Sequence, residues 1–259
     1  MIFSPEKLKH IETIIGAIAV DAGAMLYKAF NQMINSEEKT SPHDVVTQYD
    51  SDCEEFLYQR LHAAFPEIGF LGEESGYRNY KEGEPYWIVD PIDGTLNFAR
   101  SIPAFAVSIA LVHHNKTFVG ACYCPITKEL FCAYRGGGAF LNGKSIKVSE
   151  VSSMKYAVIC VSPDQLHHRK VEAVIRRQGA SVMDICYVAK GATEGFYDSC
   201  LNPWDFAASS LIAEEAGAEI FSLKSKTLDT NKKSDILVAN KHLSDTLAKW
   251  ILTEEPTQK

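Results

Sequence analysis

The chain is predicted to be an α/β protein (α+β in some schemes) with an antiparallel N-terminal sheet and a smaller α/β C-terminal half. Three observations carry this. Apolar residues recur at helical spacing near the N-terminus. Between residues 106 and 148 strand patterns are separated by hairpin turns. From about residue 151 strand and helix patterns alternate. Residues 1–150 are therefore read as one unit and 151–259 as another, with the boundary near Ser149–Ser153.

Taken in order, Ser4-Pro5-Glu6 reads as a helix start, with Ser4 as N-cap. Leu8, Ile11, Ile15, Ile18 and Ala22 then continue one amphipathic helix over 5–34. Asn35–Pro42 is read as a polar loop. Asp50 or Ser51 caps a second helix that ends before Pro66, and Ile68–Leu71 is a short strand. Ala106–Val112, Thr117–Tyr123, Glu129–Ala133 and Ala139–Leu141 with Ile146–Val148 are strands, turned at His114-Asn115-Lys116 and Asn142-Gly143. Beyond the boundary, strands are predicted at Ala157–Val161, Phe196-Tyr197, Ala218–Phe221 and Ile236–Ala239. Helices are predicted at His167–Gln178, Ser181–Lys190, Asp205–Ala216 and Ser244–Leu252.

Composition narrows the function. The 259 residues are 46% hydrophobic and 23% charged, enough for a sizeable core. The net charge is −7 and Lys/Arg forms no dense block, which argues against a nucleic-acid partner. The N-terminus has no secretory h-region, and Ile14–Val20 and Ala104–Val112 fall far short of the ~20 apolar residues of a membrane span. Seven cysteines, an odd number without Cys-x-x-Cys, fit a reduced cytoplasmic protein with neither disulfides nor a zinc site.

The chemistry concentrates in Trp87-Ile-Val-Asp-Pro-Ile-Asp-Gly-Thr-Leu-Asn-Phe98. A buried strand pattern runs into Asp90, and Pro91 is expected to stop it. Asp93, Gly94 and Thr95 follow, so two carboxylates and a hydroxyl stand at a strand end, where α/β sheets place ligands. Oxygen donors at this density suit a hard divalent cation such as Mg²⁺. Three other acidic segments accompany it: Asp44-Val-Val-Thr-x-x-Asp50, Gly72-Glu-Glu-Ser75 and Pro203-Trp-Asp205. Each alone reads as ordinary turn or capping chemistry.

Together, these segments resemble the inositol monophosphatase family of Mg²⁺-dependent, lithium-sensitive sugar phosphatases. Glu73-Glu74-Ser75, Trp87–Phe98, the Gly138–Gly143 hairpin, Trp204-Asp205 and Glu214-Glu215-Ala216-Gly217 carry the likeness over nearly the whole length. The resemblance implies the layered αβαβα sugar-phosphatase fold. It also implies hydrolysis of a small phosphate monoester, inositol 1-phosphate or a related sugar phosphate. Fructose 1,6-bisphosphate and a broad set of sugar or nucleotide monoesters stay open as substrates. By the same resemblance Glu73, Asp90 and the Ile92 carbonyl hold one ion, and Asp90, Asp93 and Asp205 a second. A third ion near Glu73 makes two to three in all, with Mn²⁺ as a substitute metal. Thr95 and Asp44 then orient and deprotonate a metal-bound water. Lys39 stands where relatives carry a loop lysine. The substrate contacts carried over are Asp93, Gly94, Thr95, Gly179, Ala180, Ser181, Asp198 and Asp205. Ala180-Ser181 departs from the usual Ser/Thr-Ala, and Asp198 replaces a longer glutamate that would reach ring hydroxyls better. A homodimer is a further family expectation.

Gly138-Ala-Phe-Leu-Asn-Gly-Lys-Ser145 also spells Gly-x₄-Gly-Lys-Ser, a distant nucleotide-binding reading. A P-loop requires a helix after its Lys-Ser, and here Asn-Gly marks a hairpin and a strand pattern follows. The Gly136–Gly138 run reads as a flexible hairpin tip.

Overall fold

The computed structural model describes residues 3–32, 34–41, 44–162, 166 and 170–253. Its layers are set by which faces of each element are apolar. Helix α1 (Pro5–Ala29) starts where the sequence predicts, with the Ser4 side chain accepting the Lys7 amide at 3.3 Å. Its inward stripe of Leu8, Ile11, Ile15, Ala19, Ala22 and Leu26 is buried. It stops at Ala29, short of the predicted residue 34, and Asn31 follows with a left-handed φ of 71°. By length and composition alone α1 could cross a membrane, but half of its most apolar window is packed inside the fold. Helix α2 (Gln48–Ala64) lies beside α1 and begins in a capping box between Thr47 and Asp50.

These helices cover one face of an eight-stranded sheet ordered β10-β9-β8-β7-β6-β5-β3-β4. The strands are β3 (Gly69–Gly72), β4 (Gly76–Arg78), β5 (Tyr86–Asp93), β6 (Ala106–His113), β7 (Lys116–Cys124), β8 (Glu129–Tyr134), β9 (Gly138–Leu141) and β10 (Lys144–Ser145). All pairings are antiparallel except β3 with β5. Every residue of β6 is buried, because both faces of the sheet are covered. Val107, Ile109 and Leu111 meet the α1/α2 layer, while Ala106, Ala110 and Val112 face the opposite core.

That second core holds α4 (Ser181–Ala189) and α5 (Pro203–Glu215), sandwiched against a five-stranded sheet. The sheet runs β12-β11-β13-β15-β14, from β11 (Val158–Val161), β12 (Val174–Arg176), β13 (Gly195–Leu201), β14 (Ala218–Phe221) and β15 (Ser234–Asn240). Helix α6 (Ser244–Leu252) closes its outer face through Leu247 and Ile251. The order helix, sheet, helix, sheet, helix is the layered αβαβα sugar-phosphatase arrangement that the sequence predicts.

Several local expectations are corrected. Asn35–Pro42 is largely not a loop: β1 (Ser36–Ser41) pairs with β2 (Asp44–Thr47) as a separate antiparallel hairpin. The predicted helix over His167–Gln178 is replaced in part by β12, a parallel edge strand whose Val174–Arg176 backbone pairs with β11. Residues 167–169 lie outside the described residues. Pro91 does not stop β5. The strand passes through it on a β-bulge between Asp90 and Asp93, where a missing N–H costs no ladder bond. Lys144-Ser145 forms strand β10 behind a turn with Asn142 at φ 48° and Gly143 at φ 76°, which rules out the helix a P-loop needs. The Gly136–Gly138 tip is pinned, since both amides donate to the Glu215 carboxylate at 2.8 Å.

Candidate active site

The β5 bulge sets the geometry of the site. It lets Asp90 and Asp93 reach the same cleft although they are three residues apart. The Ile92 amide donates to Asp90 Oδ1 at 3.0 Å, which fixes the bulge. Gly94 follows at φ 90° and caps the short helix α3 (Thr95–Ala99). A side chain there would meet the Ala104 carbonyl oxygen at 2.9 Å, so conformation and space both call for glycine. Asp205 arrives from the opposite wall as the third residue of α5, where its carboxylate accepts the Asn202 amide at 2.8 Å. One carboxylate oxygen from each of Asp90, Asp93 and Asp205 lies within 4.8 Å of the others.

A cleft of about 270 Å³ opens above this triad. Of the predicted site residues, Glu73, Asp90, Ile92, Asp93, Gly94, Thr95, Gly179 and Asp205 line it. Val45, Leu96 and Asn202 line it too, and the sequence reading had not singled them out. The other substrate candidates stand around the cleft. Ala180 is buried behind Gly94. The Ser181 and Val182 amides donate to the Asp93 carboxylate at 3.1 and 2.9 Å, so the start of α4 is tied to β5. Asp198 accepts the Cys200 amide at 2.8 Å within the irregular end of β13. Asp44 opens β2, but its side chain lies outside the described residues.

Asp50 is the residue that sequence reading passed over as a helix cap. It is fully buried, and its carboxylate accepts the Thr47 amide at 2.8 Å and the Thr47 hydroxyl at 2.7 Å. It also stands 2.8 Å from the Thr95 hydroxyl, which is 2.9 Å from the Ile92 carbonyl oxygen. The available signal was the acid that closes the Asp44-x₅-Asp50 segment, three residues beyond Thr47. Lys39, from β1, binds Glu73 at 2.9 Å and also Glu74. Glu54, from α2, accepts the Glu74 and Ser75 amides at 2.8 Å and so holds the acidic turn in place.

So many acids cannot all ionise freely in one buried site. Burial, then the neighbouring Glu73, Asp93 and Asp205 charges, pushes Asp90 well above the usual carboxylate range. Burial and Asp205 do the same to Asp93, against the pull of the two α4 amides. Burial and Glu73 push Asp205 up to about 7. Asp50 and Glu73 are raised mainly by burial, with hydrogen bonds from Thr47 opposing at the first and the Lys39 charge at the second. Burial works against the Lys39 charge, but Glu73 and Glu74 outweigh it and hold its pKa above the ordinary lysine value.

Fold and site together define the class, a phosphoric monoester hydrolase built on the sugar-phosphatase layers. The family follows from comparison with known proteins. The model of the Inositol monophosphatase family matches residues 7–254, and the chain belongs to that family. It is 34% identical to an inositol monophosphatase of Dictyostelium discoideum, over 93% of this chain and 94% of the relative. The structure of the extragenic suppressor protein suhB from Bartonella henselae superposes with a TM-score of 0.88 at 32% identity, covering 95% of this chain and 100% of the other. An IMPase/NADP phosphatase solved with Mg²⁺ and phosphate superposes at 0.85 with 26% identity, covering 97% and 98%.

Proposed function

We propose that this phosphatase is Mg²⁺-dependent and acts on inositol 1-phosphate or a closely related sugar phosphate. The observation that carries the reading is the convergence of Asp90, Asp93 and Asp205 from two facing walls of one cleft. The donor set fits a hard divalent cation: oxygen only, carboxylates raised by burial and then by one another's charge, and a bulge carbonyl at Ile92 with a second lone pair to offer. Asp90, Asp93, Asp205, Glu73 and the Ile92 carbonyl would hold the ions. When bound, divalent cations neutralise the phosphate, make water more acidic and stabilise the departing alkoxide. The relative solved with Mg²⁺ and phosphate supports the choice of metal.

The chain's own groups supply proton handling and orientation. Thr95 Oγ1 relays a proton from the attacking water to Asp50, whose burial makes its carboxylate a stronger base. The role first given to Asp44 thus passes to Asp50. Asp93, braced by the α4 amides, and Gly94 border the phosphate, and attack proceeds in line. Lithium inhibition and a homodimeric state rest on the family resemblance, and an inhibition curve and a sedimentation run test them. The central experiment is phosphate release from a panel of sugar and nucleotide monophosphates with and without Mg²⁺, on the wild type and Asp90→Asn. Activity should require the metal, favour inositol 1-phosphate and be nearly abolished in a folded Asp90→Asn. Near-normal turnover in that variant would remove Asp90 from the groups that would hold the metal.

A further inference from the structure

Asn97 stands two residues beyond Thr95 on α3 and is buried. Its side-chain nitrogen Nδ2 reaches three backbone carbonyl oxygens: Ala104 at 2.7 Å, Gln178 at 2.8 Å and Gly179 at 3.3 Å. All three partners can only accept, so the amide nitrogen is the group that must face them. The first belongs to the stretch that follows α3. The other two lie 81 and 82 residues further along, in the segment that leads into α4. One side chain thus ties the wall that carries Asp93, Gly94 and Thr95 to the wall that carries Gly179.

Two features give this tie a functional position. The oxygens that crowd Gly94 are Asn97's own acceptors: a Cβ at Gly94 would meet the Ala104 oxygen at 2.9 Å and the Gly179 oxygen at 3.3 Å. Gly94 borders the phosphate in the proposed reaction, and carbonyl oxygens turned toward an anion would repel it. The Asn97 N–H groups draw these oxygens to themselves. The second feature is that the segment from Gln178 to Val182 is gripped at both ends. Asn97 takes its carbonyls, and Asp93 takes the Ser181 and Val182 amides at 3.1 and 2.9 Å. Each Asp93 oxygen keeps a lone pair beyond its amide bond, and a cation would need it. Without Asn97, more of the tie across the cleft would fall to Asp93, the carboxylate that a cation has to share.

Resting on the phosphatase reading of the cleft, we propose that Asn97 is a positioning residue for the reaction. It holds the 178–182 segment against α3, so that Asp93 can turn toward a cation and Gly94 stays open to the phosphate. Asn97 is not among the residues that line the cleft, and it acts through the backbone it holds.

Calorimetric titration with Mg²⁺ and phosphate release from inositol 1-phosphate test this on the wild type, Asn97→Ala and the milder Asn97→Ser, which keeps one short donor. Asn240→Ala is the control. Asn240 is also buried and also holds backbone, at Val151, His242 and Leu243. It ends β15 about 20 Å from Ser234, the residue that pairs with Leu201 next to Asn202 of the cleft. In Asn97→Ala the Kd for Mg²⁺ should rise about 10–100-fold and the KM with it. At saturating Mg²⁺ kcat should largely recover, because Asp93 is then held by the cation. Asn97→Ser should show the same split in smaller measure. Asn240→Ala should lower the melting temperature and leave the Mg²⁺ Kd unchanged. Asn97 variants that lose only stability, with wild-type Kd and KM, overturn the positioning role and leave the phosphatase reading intact. An equal Kd shift in Asn240→Ala, or failure of both Asn97 variants to fold, overturns it as well. No phosphate release by the wild type from inositol 1-phosphate or any other monoester of the panel overturns the phosphatase reading and the proposal with it.

Discussion

The Thr95 hydroxyl has one proton and two acceptors in reach, Asp50 at 2.8 Å and the Ile92 carbonyl at 2.9 Å. A cation drawing on the Ile92 carbonyl would turn that proton toward Asp50. The Thr95 lone pairs would then face the cleft, ready to accept a proton from water. Removing the Asp50 charge should therefore cost more than a cap. Asp50→Asn is expected to lower kcat by about 10²–10⁴, the usual range for losing a positioned base. Asp44→Asn should cost far less, and steady-state kinetics on the two variants decides between them. An inactive Asp44→Asn beside an active Asp50→Asn would return the role to Asp44. A cap reading hides Asp50, because the carboxylate that caps the helix is also the one that faces Thr95. Its carboxylate bonds Thr47 at the helix start and Thr95 across the cleft, and only the first partner is a sequence neighbour. The metal-type acids were easier to read, since Asp90 and Asp93 fall in one strand motif and Asp205 opens a helix.

At the scale of elements, α5 is what brings Asp205 to the cleft, and it lies very close to β7. A Cβ at Gly120 would come within 2.7 Å of the Ala208 carbonyl oxygen, which is backbone and has little room to yield. Gly120→Ala should therefore cost about 1–3 kcal/mol in denaturant unfolding. It should also raise the Mg²⁺ concentration for half-maximal activity, because α5 must shift and take Asp205 with it. Unchanged stability would mean that the contact relaxes freely. Elements with strong periodicity were legible in sequence: α2, the β6–β7–β8 meander, α4, α5 and α6 fall close to their predicted spans. The failures have physical causes. Strands β1 and β2 consist of Ser, Glu, Lys, Thr and Asp around a short apolar pair, so no alternating pattern announces them. Over 167–178 the charged residues mimic an exposed helix face, yet Val174 and Ile175 are held by β11, a partner that only the fold supplies. The bulge at Pro91 likewise depends on β6 opposite it.

At the scale of the whole molecule, the cleft lies where β5, under the first sheet's helices, meets α4 and α5 from the second core. The Asp93 bonds to the α4 amides and the approach of Asp205 tie stability to the charge state of one site. In the unfolded chain an aspartate ionises near 3.9. In the fold Asp205 is pushed up to about 7, Asp184 to about 6, chiefly by burial, and Asp90 and Asp93 are raised as well. Between those limits the folded state keeps protons that the unfolded chain has shed, so stability falls as pH rises from about 4 through 7. A divalent cation held by Asp90, Asp93 and Asp205 would offset their share of this penalty, because it would bind the ionised carboxylates and displace their protons, while the Asp184 share would stay. The metal-free protein should thus melt lower at pH 8 than at pH 5. Mg²⁺ at about a hundred times its Kd should raise the melting temperature by about 5–10 °C at pH 8, and by much less at pH 5. Calorimetry at the two pH values, with and without Mg²⁺, measures all four terms. An equal metal effect at both would show that the ion does not compete with protons for these carboxylates, and the metal would have to be sought away from the Asp90, Asp93 and Asp205 triad.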